Sequence, residues 1–188
     1  VFQIDLFGQS QFANFSTGQR TNGKVAFSQD GQFLGVLSGK NLLGIFKAQT
    51  QLLTNSITLS NFSETHELAF GAKDLCYVAG KNDDKYQIIE TNLVTNATRV
   101  AHEGPDQITG IRVLAKKNVI LFSDAAGFVQ AADIESGKIQ WRTKGHSKYA
   151  LDISYSKSEK LIASSGADGN VAIFNLQGEL QKKIPVSN

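Results

Sequence analysis

Ile153-Ser154-Tyr155, the turn Ser156-Lys157-Ser158-Glu159, the run Leu161-Ile162-Ala163-Ser164-Ser165, the turn Gly166-Ala167-Asp168-Gly169 and the run Val171-Ala172-Ile173-Phe174-Asn175 decide how this chain folds. Short apolar runs separated by polar, glycine-bearing turns read as consecutive antiparallel strands. The same pattern stands three more times upstream. The position of Tyr155 is filled by Val113, Phe70 and Phe27, each 42 or 43 residues from the next. Nineteen residues beyond each of these anchors comes a second landmark: Phe46-Lys47, Ile89-Glu90, Ala132-Asp133 and Phe174-Asn175.

A period of about 40–45 residues with four short strands in each unit is the signature of a β-propeller blade. The expected fold is therefore all-β: a β-propeller of four-stranded antiparallel blades. The blades fall roughly at 21–60, 61–103, 104–144 and 145–188, preceded by a blade fragment at 1–20. Ile4-Asp5 precedes Phe27 by the 23 residues that separate Ala132 from Tyr155, so the fragment is expected to open on a third strand. The chain starts at Val1 and contains no Met. About four and a half blades is an awkward number for a closed ring, so part of a larger ring is expected.

The last copy resembles the WD-repeat family. Gly145-His146 lies where that family has its Gly-His dipeptide, and Ser164 through Asn175 is similar to its serine-glycine turn and Trp-Asp strand. Phe174 stands at the family's Trp and Asn175 at its Asp. The turn aspartate Asp168 has the equivalents Lys40, Asp83 and Ala126, so two copies of four carry it. The resemblance implies a hydrogen-bonded network in which His146 and Asp168 tie a strand-connecting loop to the blade. With Phe174 for Trp, that network lacks its indole N–H donor.

Composition excludes several classes. At 188 residues and 41% apolar the chain can bury a core, and no run of about 18 apolar residues is long enough to span a membrane. A formal net charge of +2, spread along the chain, leaves no nucleic-acid footprint. The single Cys76, within Leu75-Cys76-Tyr77-Val78, reads as a small buried hydrophobe; one cysteine fits an intracellular, reducing compartment, cytoplasm or nucleus. Glycosylation-type triplets at Asn14, Asn61 and Asn96 are no more than such a composition supplies by chance.

Motifs for chemistry are sparse. His66, His102 and His146 fall at different phases of the repeat, and no metal-ligand spacing links them. Asn82-Asp83-Asp84 lacks the layout of a calcium loop and reads as a hairpin tip. Gly166-Ala167-Asp168-Gly169 joins two strands, whereas a phosphate-binding loop needs a helix after it. No motif around any Ser marks a nucleophile for a His146–Asp168 pair. No cofactor and no metal are expected.

Two features suggest a surface. Trp141, between Gln140 and Arg142 on an outer strand, is either packing or a partner-binding anchor. Three residues before the anchors stand Lys24, Glu67, Gly110 and Asp152, on the face opposite Val25, Leu68, Ile111 and Ile153. Such a ring of charges near the mouth of a central channel is either a docking surface or hydration of the channel. The expected function is a non-catalytic protein-interaction scaffold, a subunit binding other proteins within a complex. One alternative is a propeller-type guanine-nucleotide exchange factor for a small GTPase of vesicle coat assembly. The other is an enzyme with its site in the channel, for which Glu67 and Asp152 are the available carboxylates.

Overall fold

A computed structural model describes residues 23–38 and 41–186 of the chain. The blade fragment at 1–20, with Ile4-Asp5, lies outside the described residues, as does Lys40. The described residues form four antiparallel four-stranded sheets, each built from strands consecutive in the chain. The first holds β1 (Lys24–Phe27), β2 (Phe33–Ser38), β3 (Leu42–Lys47) and β4 (Leu52–Thr58). The second holds β5 (Glu64–Phe70), β6 (Leu75–Asn82), β7 (Lys85–Asn92) and β8 (Thr98–Gly104). The third holds β9 (Ile108–Leu114), β10 (Val119–Asp124), β11 (Phe128–Asp133) and β12 (Ile139–Lys144). The fourth holds β13 (Ala150–Ser156), β14 (Leu161–Gly166), β15 (Asn170–Phe174) and β16 (Leu180–Pro185).

The four anchors all lie in the first strand of their sheet, and the first residue of each landmark in the third. Rows of paired residues repeat with them: Phe27–Leu34–Phe46, Val113–Ile120–Ala132 and Tyr155–Ile162–Phe174. In the second sheet the row is Phe70–Cys76–Thr91, so its landmark Ile89 pairs instead with Val78. Its first turn, between Phe70 and Leu75, is one residue shorter than the Phe27-to-Phe33 turn of the first sheet. A displacement of two residues along β7 keeps every side chain on its own face, so the core survives the change.

Bulges recur as well. In all four sheets the pairing of third and fourth strands shifts immediately before the landmark. In three sheets a second shift leaves His66, Thr109 or Leu151 unpaired in the first strand, directly before Glu67, Gly110 and Asp152. A bulge adds local twist and re-aims the next side chain. Glu67 and Asp152, the side chains that follow two of these bulges, line one cavity.

Three apolar cores separate the four sheets. Leu37, Leu43 and Ile45 pack on Leu68, Phe70 and Val78 between the first and second. Tyr77, Ala79 and Ile88 meet Ile111, Ile120 and Phe122 between the second and third. Leu121, Val129 and Ala131 meet Ile153, Ile162 and Phe174 between the third and fourth. The inner sheets are thus buried on both faces, which is why Cys76-Tyr77-Val78-Ala79 and Ile120-Leu121-Phe122 read as unbroken apolar runs. Full burial of each such side chain contributes about 1.5–3 kcal/mol. On the faces of the two end sheets turned away from these cores, Val25 is 59% and Phe27 50% exposed on the first, where Leu34 and Phe46 are nevertheless buried, and Ile184 is 42% exposed on the fourth. Among the described residues the stack does not close on itself.

Local differences from the sequence reading have simple causes. Gly31 takes φ +70 in the first turn, a conformation that glycine adopts without strain. The tip Asn82-Asp83-Asp84 shrinks to the two residues Asp83-Asp84, with Asp83 at φ 51, because Asn82 and Lys85 still pair. β8 runs to Gly104, so His102 lies in a strand and pairs with Ile88. A single 3-10 turn at Ala115–Lys117 follows β9.

Candidate functional site

His146 lies in the loop between β12 and β13, fully buried. The loop is fixed from the third sheet, since the backbone N–H groups of Gly145 and His146 both donate to the Gly127 carbonyl. Gly127 has φ +84, and a Cβ there would lie 2.3 Å from the Lys148 carbonyl oxygen, so no larger residue fits. From this position His146 Nδ1 stands 2.9 Å from Asp168 Oδ1, and Nε2 stands 2.8 Å from Ser164 Oγ. A carboxylate only accepts, so Nδ1–H donates to Asp168, while Nε2 shares its hydrogen bond with the Ser164 hydroxyl, which can donate or accept. Ser147 N–H donates to Asp168 Oδ2 at 3.0 Å. Burial alone raises the Asp168 pKa, but the hydrogen bonds from His146 and Ser147 outweigh it and hold the carboxyl well below the ordinary range.

Ser164–His146–Asp168 has the order of a nucleophile, a base and its orienter. Its burial argues for a different role. Ser164 is 2% exposed and His146 0%, so no substrate atom can approach Oγ. Phe174 packs beneath the loop, where a Cβ on Gly145 would fall 2.9 Å from its ring. Having no N–H, Phe174 cannot extend the chain of hydrogen bonds. The arrangement ties a loop of one sheet edge to the β14–β15 turn.

At the opposite end of the strands the first strands converge. β5 packs between β1 and β9, and β9 between β5 and β13. Together they line an open cavity of about 660 Å³. Lys24 Nζ lies 2.5 Å from Glu67 Oε1, and Arg112 3.4 Å from Asp152 Oδ1. Gly110 makes room for the second pair: a Cβ there would meet Asp152 Oδ1 at 2.8 Å and Ile153 N at 2.9 Å. Lys24, Glu67 and Asp152 are thus brought to one wall, each with a partner of opposite charge. Burial raises the Glu67 pKa above its ordinary value, opposed by the Lys24 hydrogen bond and charge.

Trp141 is placed elsewhere and is occupied within the molecule. Its indole N–H donates to the Leu176 carbonyl at 3.0 Å, and Gly178 lies against the ring so closely that a Cβ would fall 2.3 Å from it. It holds the β15–β16 turn of the fourth sheet onto β12.

Three features were missed in the sequence. Arg112 lies one residue before its anchor, and the same alternation that selects Lys24 and Glu67 puts it on their face. Ser164 was passed over because only the fold brings it to Nε2. Asp124, 1% exposed, had no pattern: Phe128 N–H donates to its Oδ1 at 2.9 Å and Gln130 Nε2 to its Oδ2 at 2.6 Å. Burial raises its pKa, opposed by the Phe128 N–H. In the third sheet, where Gly104 and Ala126 replace the His and turn Asp, this network fills the same need. His66 bonds Gln107 through Nδ1 (3.3 Å), while His102 packs on Phe122 with centroids 4.7 Å apart. Burial lowers the pKa of both rings.

Among the described residues no three His, Cys, Asp or Glu side chains gather as metal ligands. No helix among them is long and apolar enough to cross a membrane. Cys76 is buried, and burial pushes its thiol far above the usual range, so it stays protonated. No protein-family model matches the chain, and no curated protein matches it.

Proposed function

We propose that this chain is part of a WD-repeat β-propeller that serves as a non-catalytic platform for other proteins in a complex. The observation that carries the reading is the convergence of β1, β5, β9 and β13 on one open, charged cavity. Rigid sheets present a fixed set of polar groups there, which is how a scaffold displays a docking surface. The repeat of anchors, landmarks and bulges supports the propeller, since stacking identical sheets with a constant twist bends them around an axis. The Gly145-His146 loop with its tie to Asp168 supports the WD-repeat assignment. The docking surface consists of Lys24, Glu67 and Asp152 with Arg112 added and Trp141 left out. A lone buried thiol suits an intracellular, reducing compartment.

The channel-enzyme alternative is weakened by geometry: Glu67 and Asp152 are each engaged by a cation, and Ser164 is sealed. Affinity capture of the full-length protein with quantitative mass spectrometry tests the proposal, run beside a charge-reversed Lys24→Glu, Arg112→Glu variant. A defined set of proteins in fixed ratio, reduced in the variant at a temperature where it remains folded, is expected. The same sample is assayed for nucleotide release from small GTPases. Catalysed release, or capture of nothing in fixed ratio, would overturn the scaffold reading.

A further inference from the structure

The cavity has two carboxylates, and both are already paired: Glu67 with Lys24 and Asp152 with Arg112. Three further cations line it: Lys116 and Lys117 on the 3-10 turn after β9, and Lys157 on the β13–β14 turn. All three are exposed, and no ion pair among the described residues involves any of them. They sit at first-to-second-strand turns, so they share the end of the stack remote from His146. Three ammonium groups around one concavity repel each other and raise its positive potential. Lys116, Lys117 and Lys157 stand on exposed turns and line the same cavity.

We propose that this end of the cavity binds an acidic peptide segment of a partner protein, one that alternates carboxylate and aliphatic side chains. This rests on the scaffold reading and names the partner's chemistry. Three observations favour a peptide over other polyanions. A volume of about 660 Å³ is within the range of sites that enclose a small ligand or a short segment. Leu114 and Tyr155 line the same cavity and offer an apolar wall beside the lysines. Glu67 and Asp152, deeper along the strands, would repel a continuous phosphate backbone, whereas a peptide can turn away after its acidic residues. Nucleic acid also requires an extended basic stripe, which a formal net charge of +2 does not supply.

The test uses the purified chain and a short fluorescein-labelled peptide alternating Glu and Leu, read by fluorescence anisotropy. Controls are the Gln–Leu and Lys–Leu counterparts, a single-stranded oligonucleotide, and vesicles containing phosphatidylserine. The Glu–Leu peptide should bind, and binding should weaken with added salt. Lys116→Glu with Lys117→Glu should weaken it roughly tenfold or more, and Lys157→Glu should act in the same direction. Lys182→Glu with Lys183→Glu, on exposed β16, should leave it unchanged. A photo-crosslinking version of the peptide should label 115–117, which keeps the test decisive if a reversal variant misfolds. No binding by the Glu–Leu peptide, binding indifferent to Lys116, Lys117 and Lys157, or preference for the oligonucleotide or vesicles would overturn the proposal. Partner capture that survives the Lys116→Glu, Lys117→Glu change would refute this site while leaving the scaffold reading intact.

Discussion

The imidazole of His146 occupies the space that a side chain on Gly166 would need: a Cβ on Gly166 would fall 2.1 Å from Nδ1 and 2.7 Å from Asp168 Oδ1. β14 therefore ends in glycine because the hydrogen-bonded ring lies against its backbone. Gly166→Ala should push the imidazole off Asp168 and Ser164 and cost about 1–3 kcal/mol, the usual penalty of overpacking. Thermal denaturation checks this; an unchanged melting temperature would mean that the ring is not held there.

Asp168→Ala removes the acceptor for His146 and for Ser147 N–H, leaving a buried ring nitrogen without a partner. The expected loss is roughly 1–3 kcal/mol, with partner binding retained at permissive temperature. Because the folded-state pKa of Asp168 is depressed, its contribution is present at neutral pH and lost as pH falls below about 4. Urea titrations of Asp168→Asn should show a flatter acid limb than the parent chain. Loss of an activity with no change in melting temperature would make the pair a functional site instead.

Glu67 has the opposite sign. Its folded-state pKa is raised, so the stability associated with its protonated form is complete below the ordinary carboxylate pKa of about 4 and declines as pH rises through the higher folded value. Glu67→Gln, which keeps the shape and removes the charge, should be as stable as the parent or more so at neutral pH. The difference should vanish in acid. Paired urea titrations at the two conditions decide it, and a variant clearly less stable at neutral pH would show that the Lys24 pair outweighs burial.

Much of this architecture was legible because the repeat is written in apolar residues. Phe27, Phe70, Val113 and Tyr155 mark first strands, and their spacing carries the sheet count without knowledge of any contact. His146 and Asp168 were legible through the dipeptide and turn that hold them. Arg112 was hidden because its equivalents Ala26, Ala69 and Ser154 are uncharged, so no ring of like residues drew attention to it. The bulges at His66, Thr109 and Leu151 leave no residue-type signature, yet they aim the cavity side chains. Trp141 was ambiguous because an outer-strand tryptophan reads alike as packing or as a partner-binding anchor; only the fold shows the β15–β16 turn lying against its ring.

The claim on which the rest depends is that these four sheets are an arc of a ring, with the outer faces bearing Val25, Phe27 and Ile184 made to be covered. The most direct measurement is the size and shape of the isolated 188-residue chain in solution, by sedimentation and small-angle X-ray scattering across concentration. The account predicts an open arc that self-associates as concentration rises, because exposed apolar side chains such as Val25, Phe27 and Ile184 and strand edges seek partners. A compact monomer, stable and unchanged at all concentrations, would contradict it.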